Sequence, residues 1–141
     1  MTRLLEKDKA ERVEKLLAEN FWPDYKQNKG PGSLVKYRWD FIDPDLTGLD
    51  AFEYYKSQIG YEFLIMHEDF SIEVGEILVA QSLPYSGDEL ELDDLYVFPR
   101  NLAWVMAFTH EAPYIGPFFK KHRDYQRLNQ KNMQAVKYAN Y

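Results

Sequence analysis

The chain has 141 residues, of which 45% are hydrophobic and 16% aromatic, and its net charge is −6. This length and composition predict a single globular domain over residues 1–141, with a helical C-terminal tail over about 120–141 that frays at its end. The chain has no cysteine, which excludes disulfides and thiolate chemistry, and it has no apolar run near the roughly 20 residues of a membrane-spanning helix. Its charged N-terminal stretch lacks the apolar segment of a secretory signal, so we expect a cytoplasmic protein.

The charge is distributed unevenly along the chain. Residues 40–94 contain fifteen Asp and Glu and a single Lys, whereas residues 1–39 contain nine Lys and Arg against six acidic residues, and residues 99–141 seven against two. Clustered charge of one sign attracts a partner of the opposite sign, although an acidic surface also serves solubility alone. The acidic middle predicts a basic protein partner and disfavours nucleic acid, while the basic stretch 120–137 leaves RNA or DNA as a minor alternative.

The first half of the chain combines helical and strand periodicities. In order, the predicted elements are a helix over about 5–20, a loop over 26–33, a strand over 34–42, a helix over about 49–60 and a strand over 61–67. The loop is predicted from two glycines around a proline, and the first strand from the alternation of apolar and polar residues in LVKYRWDFI.

The second half is rich in apolar and aromatic residues. Phe70, Ile72 and Val74 alternate as in a strand, and the residues after Gly75 fit a helical face, so we expect a strand followed by a helix. In order, the remaining predicted elements are an acidic loop over 85–94, an aromatic β-hairpin over about 95–109, an irregular or edge segment over 112–119 and a C-terminal helix. Together they predict an α+β fold in which helices pack on one face of an antiparallel sheet.

Two histidines are candidates for catalysis or metal binding. His67 and His110 each end an apolar strand, and each precedes a glutamate, Glu68 and Glu111. If the two strands are neighbours, these side chains meet at one sheet edge and suit a divalent metal or acid–base chemistry. The alternative is a histidine with a structural role at a strand end, and neither pair has the H-E-x-x-H spacing of a helical zinc site. A metal-binding or hydrolytic enzyme that uses these four residues is the second hypothesis, and the preferred one needs no metal or cofactor.

The surplus of acidic and aromatic residues favours recognition over catalysis. Tyrosine and tryptophan suit protein interfaces, and carboxylates mimic phosphates, as an inhibitor of a basic enzyme requires. The residues expected to contact the partner are Tyr85, Asp88, Glu89, Glu91, Asp93, Asp94 and Tyr96. We therefore expect a non-enzymatic binding protein that blocks a basic partner, for example a nuclease toxin, as an immunity protein does. An accessory protein of a phage or bacterium is a further alternative.

Residues 93–111 read DDLYVFPRNLAWVMAFTHE and are followed by GPFF. This stretch resembles the end of a family of small bacterial proteins catalogued as domain of unknown function 4275, in which an aromatic strand ends in Thr-His-Glu before a Gly-Pro-aromatic segment. The matching residues are Trp104, Thr109, His110, Glu111, Gly116, Pro117 and Phe119. The resemblance implies a bacterial or phage origin, but it does not imply a particular reaction. The immunity role is an analogy with other small acidic proteins. We expect Thr109, His110 and Glu111 to have a structural role in the fold in preference to a role in a functional site.

Overall fold

A computed structural model describes residues 2–25, 37–71, 75–87 and 93–139. The helices are α1 (Lys7–Phe21), α2 (Gly48–Lys56) and α3 (Tyr125–Ala139), and a single 3-10 turn spans Arg38–Phe41. The strands are β1 (Thr2–Leu4), β2 (Leu46–Thr47), β3 (Phe63–His67), β4 (Ile77–Ala80), β5 (Leu95–Pro99), β6 (Trp104–Phe108) and β7 (Phe118–Lys121). Within the described ranges no helix is both long enough and apolar enough to cross a membrane.

The seven strands form one antiparallel sheet in the order β1-β4-β3-β5-β6-β7-β2. The predicted α+β class is confirmed, and the predicted hairpin is β5 and β6, with Leu95 opposite Phe108 and Val97 opposite Met106. The turn between them closes with a hydrogen bond from the Leu102 N–H to the Pro99 carbonyl. The hairpin places Leu95 and Phe108 at one end of the sheet, where the polar residues that flank both strands meet.

Helices cover both faces of the sheet, whereas we expected them on one. Leu64 and Met66 of β3 belong to the core beneath α1, and Phe63 and Ile65 belong to the core beneath α2. Every residue of β5 and β6 is buried. A sheet that is covered on both sides needs apolar residues at successive positions, so these strands read as continuous apolar runs without alternation. The one-face prediction was therefore wrong because it required one face of each strand to be polar.

Two predicted elements differ in the structure. The part of the predicted strand 34–42 that is described contains the 3-10 turn, because the Asp40 side chain accepts a hydrogen bond from the Tyr37 N–H (3.1 Å) and closes a local turn. The predicted helix after Gly75 is strand β4, whose backbone pairs with β1 on one side and β3 on the other. The β1 partner is distant in sequence, since Arg3 lies opposite Val79, and local periodicity within β4 did not reveal either pairing.

The other predicted elements that fall on described residues lie close to their expected places, whereas most of the predicted strand over 70–74 and half of the acidic loop over 85–94 lie outside the described residues. Helices α1, α2 and α3 lie within the three predicted helical segments, with ends that differ by a few residues. The segment before Phe118 is irregular as expected, whereas Phe118 and Phe119 begin β7, which lies between β6 and β2 and is not a sheet edge. The predicted loop over 26–33 lies outside the described residues.

Candidate functional site

One end of the sheet brings together several of the predicted site residues. His67 of β3 is opposite Leu95 of β5, and Leu95 is opposite Phe108 of β6. Strands β3 and β6 are thus separated by β5 and are not the neighbours that a direct His67–His110 pairing assumed. The polar residues gathered at this end, which we call the acidic end, are His67, Asp69, Asp93, Asp94, His110 and Glu111. A depression of about 250 Å³ there is lined by His67, Glu68, Asp69, Asp93 and Asp94.

Asp94 holds His110 in a fixed position at the acidic end. Its two carboxylate oxygens each lie 2.9 Å from Nδ1 of His110, and Oδ1 also accepts the backbone N–H of His110 (3.0 Å). The indole Nε1 of Trp39 donates to the same oxygen (2.9 Å). The Tyr37 ring stacks on Trp39 and lies 5.2 Å from the His110 ring. The oxygens of Asp94 are therefore bonded within the protein. The sequence had suggested Asp94 as a free contact for a partner, and the structure does not leave it free.

The hydrogen bond to Asp94 raises the pKa of His110 above its ordinary value of 6.5, and the negative charges of Asp94, Glu111 and Asp93 raise it further. A raised pKa means that the ion pair with Asp94 stabilises the fold fully below pH 6.5 and is lost as the pH rises through the raised value. The side chain of His110 is 43% exposed, so its charge is also presented to a partner. Lowering the pH therefore makes the acidic end less negative.

Asp94→Asn is expected to lower the pKa of His110, because the amide keeps a polar contact but removes the negative charge. An NMR titration of the His110 ring protons measures this directly, and the wild-type midpoint should lie above 6.5. Glu111→Gln serves as the control, since it removes a neighbouring charge and leaves the Asp94 hydrogen bond in place. Equal midpoints in wild type and Asp94→Asn would show that Asp94 does not govern His110.

A buried charge network supports the floor of the acidic end. The Arg38 guanidinium lies 2.5 Å from Glu68, and it also donates to the Phe70 carbonyl (3.1 Å). Glu68 in turn accepts the Arg38 backbone N–H (2.8 Å) and the Tyr96 hydroxyl (2.6 Å). The Arg38 side chain is 1% exposed. Burial raises the pKa of Glu68, and the contacts to Tyr96 and Arg38 oppose that rise.

This network removes two predicted residues from the surface. Tyr96 is fully buried beside Trp22, so it cannot be the exposed anchor that we expected, and burial raises its pKa well above the usual value. The Glu68 carboxylate is bonded to Arg38 and Tyr96, so it is not free to bind a metal ion. Among the described residues, no group of three or more His, Cys, Asp or Glu side chains is placed to hold a metal ion. The alternative metal set of His67, Glu68, His110 and Glu111 is therefore not assembled.

Most residues of the resembling motif are scaffold. The Thr109 side chain is buried, and its hydroxyl donates to the Ile115 carbonyl, which closes the turn after β6. Trp104 and Phe119 are buried and stacked, with ring centroids 5.3 Å apart. Gly116 has a φ of +81° and lies against Thr109, and the Pro117 carbonyl accepts the Gly48 N–H (2.8 Å). His110 and Glu111 are exposed, so the motif combines scaffold with two surface residues.

The turn that follows Glu111 exposes an aromatic residue beside the carboxylates. Tyr114 is 94% exposed and Ile115 is 44% exposed. Tyr85, a predicted contact, is 37% exposed and packs its ring edge on Phe108, at the same end of the sheet. Tyr114 was not among the residues predicted to contact a partner. Its position between two prolines in APYIGP is the signal that could have placed it in an exposed turn.

No family model, curated protein or solved structure matches this chain. The resemblance of residues 104–119 to the family of unknown function stays a prediction. Asp88, Glu89 and Glu91, which were expected to contact a partner, lie outside the described residues.

The acidic end combines an oriented imidazole with a buried hydroxyl. His110 is the one group of the acidic end that is oriented by a hydrogen-bonded carboxylate, as a general base is. However, the Thr109 hydroxyl next to it is buried and bonded to a carbonyl, so it is not available as a nucleophile. Of the four carboxylates that line the depression, Glu68 and Asp94 are bonded within the protein, and Asp69 and Asp93 are left to attract a cationic group of a partner.

Proposed function

We propose that the protein is a non-enzymatic binding protein that holds a basic protein partner on its acidic end, in the way that an immunity protein blocks a toxin. The observation that carries this proposal is the placement of exposed carboxylates beside an almost fully exposed tyrosine. Asp69, Asp93 and Glu111 are exposed at the end of the sheet, and Tyr114 stands in the adjoining turn. Charged residues around an aromatic anchor are the usual composition of a tight protein contact.

The electrostatics of this end support a basic partner. The nearest buried cation, Arg38, is balanced by Glu68 at 2.5 Å and by Glu14 at 3.8 Å, so it does not neutralise the surface above it. Within the described part of the chain, the exposed carboxylates Asp69, Asp93 and Glu111 are therefore not neutralised by Arg38, and they outnumber the imidazoles at this end. Opposite charges across an interface accelerate association and exclude wrong partners. The aromatic ring of Tyr114 supplies buried area at a small cost in side-chain entropy.

The rigid structure beneath the acidic end supports the same role. Asp94 fixes His110 and Trp39, and the network of Arg38, Glu68 and Tyr96 fixes the backbone that follows β3. A surface that is already ordered loses little conformational entropy when a partner binds. The Phe70 N–H also bonds the His67 carbonyl (3.1 Å), which holds Asp69 in a tight turn.

Asp93→Lys combined with Glu111→Lys is expected to abolish retention of the basic partner. Tagged wild-type protein and this variant are incubated with lysate of the native host, and the eluates are identified by mass spectrometry. Reversing two charges places like charges opposite each other, which costs several kcal/mol and so weakens binding by more than about 100-fold. The wild-type complex should form at about 0.1 M salt and dissociate at about 1 M, where the Debye length falls from about 10 Å to about 3 Å.

The matched control is Glu19→Lys combined with Asp124→Lys, which changes the net charge equally at the other end of the sheet. Both residues are exposed, and the Phe21 ring, two residues after Glu19, contacts the His122 ring at 6.3 Å. This control should retain the same basic protein as the wild type. If both variants lose the partner equally, net charge alone explains the binding. A partner that is not basic, or one that stays bound at high salt and to both variants, would contradict the proposal.

A further inference from the structure

Helix α3 differs in composition from the rest of this acidic protein. Its fifteen residues contain three lysines and arginines, five asparagines and glutamines, and no carboxylate. Arg123, Arg127 and Lys131 follow each other at intervals of four residues, and all three are exposed. Arg127 and Lys131 lie on α3, where residues four apart share a face and are about 6 Å apart along the axis, and Arg123 lies in the turn just before the helix. We call Arg123, Arg127 and Lys131 the basic stripe.

The stripe faces solvent because α3 is attached to the sheet by its first turns. Tyr125 and Leu128 pack against the core beneath α2. Asn101 donates to the Leu128 carbonyl (2.9 Å) and accepts a hydrogen bond from Asn132 (3.3 Å). Beyond this contact the side chains are mostly exposed, including Met133 at 48%. An open cleft of about 540 Å³ adjoins the start of the stripe and is lined by residues 121–127.

The basic stripe and the acidic end lie at opposite ends of the sheet. Lys121, just before α3, is opposite Trp104 at the start of β6, whereas the acidic end begins after Phe108. The four residue steps from Trp104 to Phe108 span about 13 Å at about 3.3 Å per residue. The Debye length at physiological salt is about 8 Å, so the acidic end weakens the field at the stripe only partly. Asp124 pairs with Arg127 at 3.4 Å, and both side chains are exposed, so this pair yields readily to a stronger anion.

We infer that the basic stripe binds nucleic acid through its phosphate backbone. Arginine and lysine neutralise phosphates, and asparagine and glutamine donate to phosphate, sugar and base edges, so α3 combines both groups that such contacts use. A membrane-surface helix requires a continuous apolar face as well. Met133 is the single large apolar side chain that the described part of α3 exposes, which favours nucleic acid over a lipid surface. This binding is independent of the protein contact proposed for the acidic end.

Fluorescence anisotropy with labelled duplex RNA, single-stranded RNA and duplex DNA tests the inference. Wild-type protein should bind at least one of these probes at about 50 mM salt and lose about 40-fold in affinity at about 200 mM if its three cations each neutralise one phosphate. Arg127→Gln combined with Lys131→Gln should weaken binding at least tenfold and reduce the salt slope by up to about 2. The comparison of probes shows whether duplex shape or an unpaired strand is preferred.

The control is Lys9→Gln combined with Arg12→Gln on α1, which removes two exposed cations elsewhere. It should bind as the wild type does, and circular dichroism should give the same helix content for all three proteins. Failure of wild-type protein to bind any probe at low salt would overturn the inference. Equal losses in both variants would overturn it too, because they would show dependence on net charge alone. Binding to anionic vesicles without binding to nucleic acid would assign the stripe to a lipid surface instead.

Discussion

Glu68→Ala is expected to lower the free energy of unfolding by about 3–5 kcal/mol. The substitution removes the carboxylate that faces the Arg38 guanidinium at 2.5 Å and that accepts the Tyr96 hydroxyl. Arg38 is almost completely buried, so water cannot replace the lost partner. The remaining ion contact of Arg38, to Glu14, is longer at 3.8 Å. An uncompensated buried cation is among the most destabilising results of a single substitution.

Glu62→Ala is a matched control, because the side chains of Glu62 and Glu68 are each 15% exposed. The partners of Glu62 are Arg3 and Arg100, whose side chains are 56% and 43% exposed and regain water when the pair is broken. We expect a cost below about 1 kcal/mol for Glu62→Ala, measured by urea unfolding of both variants and the wild type. Similar costs for the two variants would show that burial of Arg38 does not govern the energy of this network.

Adding Arg38→Met to Glu68→Ala should cost less than the sum of the two single changes. The double variant removes the buried Arg38 cation together with its Glu68 partner. The interaction free energy measured by a double-mutant cycle for a buried ion pair is typically about 1–3 kcal/mol. A strictly additive result would mean that the two side chains act independently, in contrast to the contacts between them.

Gly116→Ala is expected to lower the free energy of unfolding by about 2–4 kcal/mol, from left-handed backbone strain of about 1–2 kcal/mol and from overpacking. Gly116 has a φ of +81°, which L-residues rarely adopt. A Cβ at this position would lie 2.7 Å from Cγ2 and 3.0 Å from Oγ1 of Thr109. Thr109 cannot move freely, because its hydroxyl is bonded to the Ile115 carbonyl within the same turn.

Two other glycines separate the causes of this effect. Gly48 also has a positive φ, +63°, but nothing lies within 4 Å of a Cβ built there, so Gly48→Ala should cost about 1 kcal/mol from strain alone. Gly87 has neither a positive φ nor a close neighbour, and Gly87→Ala should change stability by less than about 0.5 kcal/mol. Thermal unfolding of the three variants should rank Gly116 above Gly48 and Gly48 above Gly87. Another order would show that contact with Thr109 does not determine the cost.

Local elements of the fold could be predicted from the sequence, and their arrangement could not. The hairpin of β5 and β6 was predictable because its strands are adjacent in sequence and joined by a short turn. The identity of β4 as a strand depends on pairing with β3, the strand before it, and with β1, which lies at the far N-terminal end of the described chain. Burial of the sheet on both faces follows from helices that pack at a distance. Non-local contacts of this kind leave no periodic signal in the segments that form them.

The candidate site was predictable in composition but not in its partners. The sequence placed His67, His110 and the neighbouring carboxylates at strand ends, and the structure brings them to one end of the sheet. It did not reveal that Asp94 bonds Trp39, which lies 55 residues earlier in the chain. Nor did it reveal that the Glu68 carboxylate forms an ion pair with the buried Arg38. Polar pairs between distant segments depend on tertiary packing, so residue type and spacing identified the candidates without identifying which of them remain exposed.

Among the described residues, the acidic end and the basic stripe place charges of opposite sign at opposite ends of the sheet. The protein's net charge of −6 therefore describes its surface poorly, because the two ends offer opposite potentials to anything that approaches. We therefore expect electrostatic steering to favour one orientation of the molecule as it approaches a charged surface. At low ionic strength it should adsorb to both anion and cation exchangers at a single pH, and each resin would capture it by a different end.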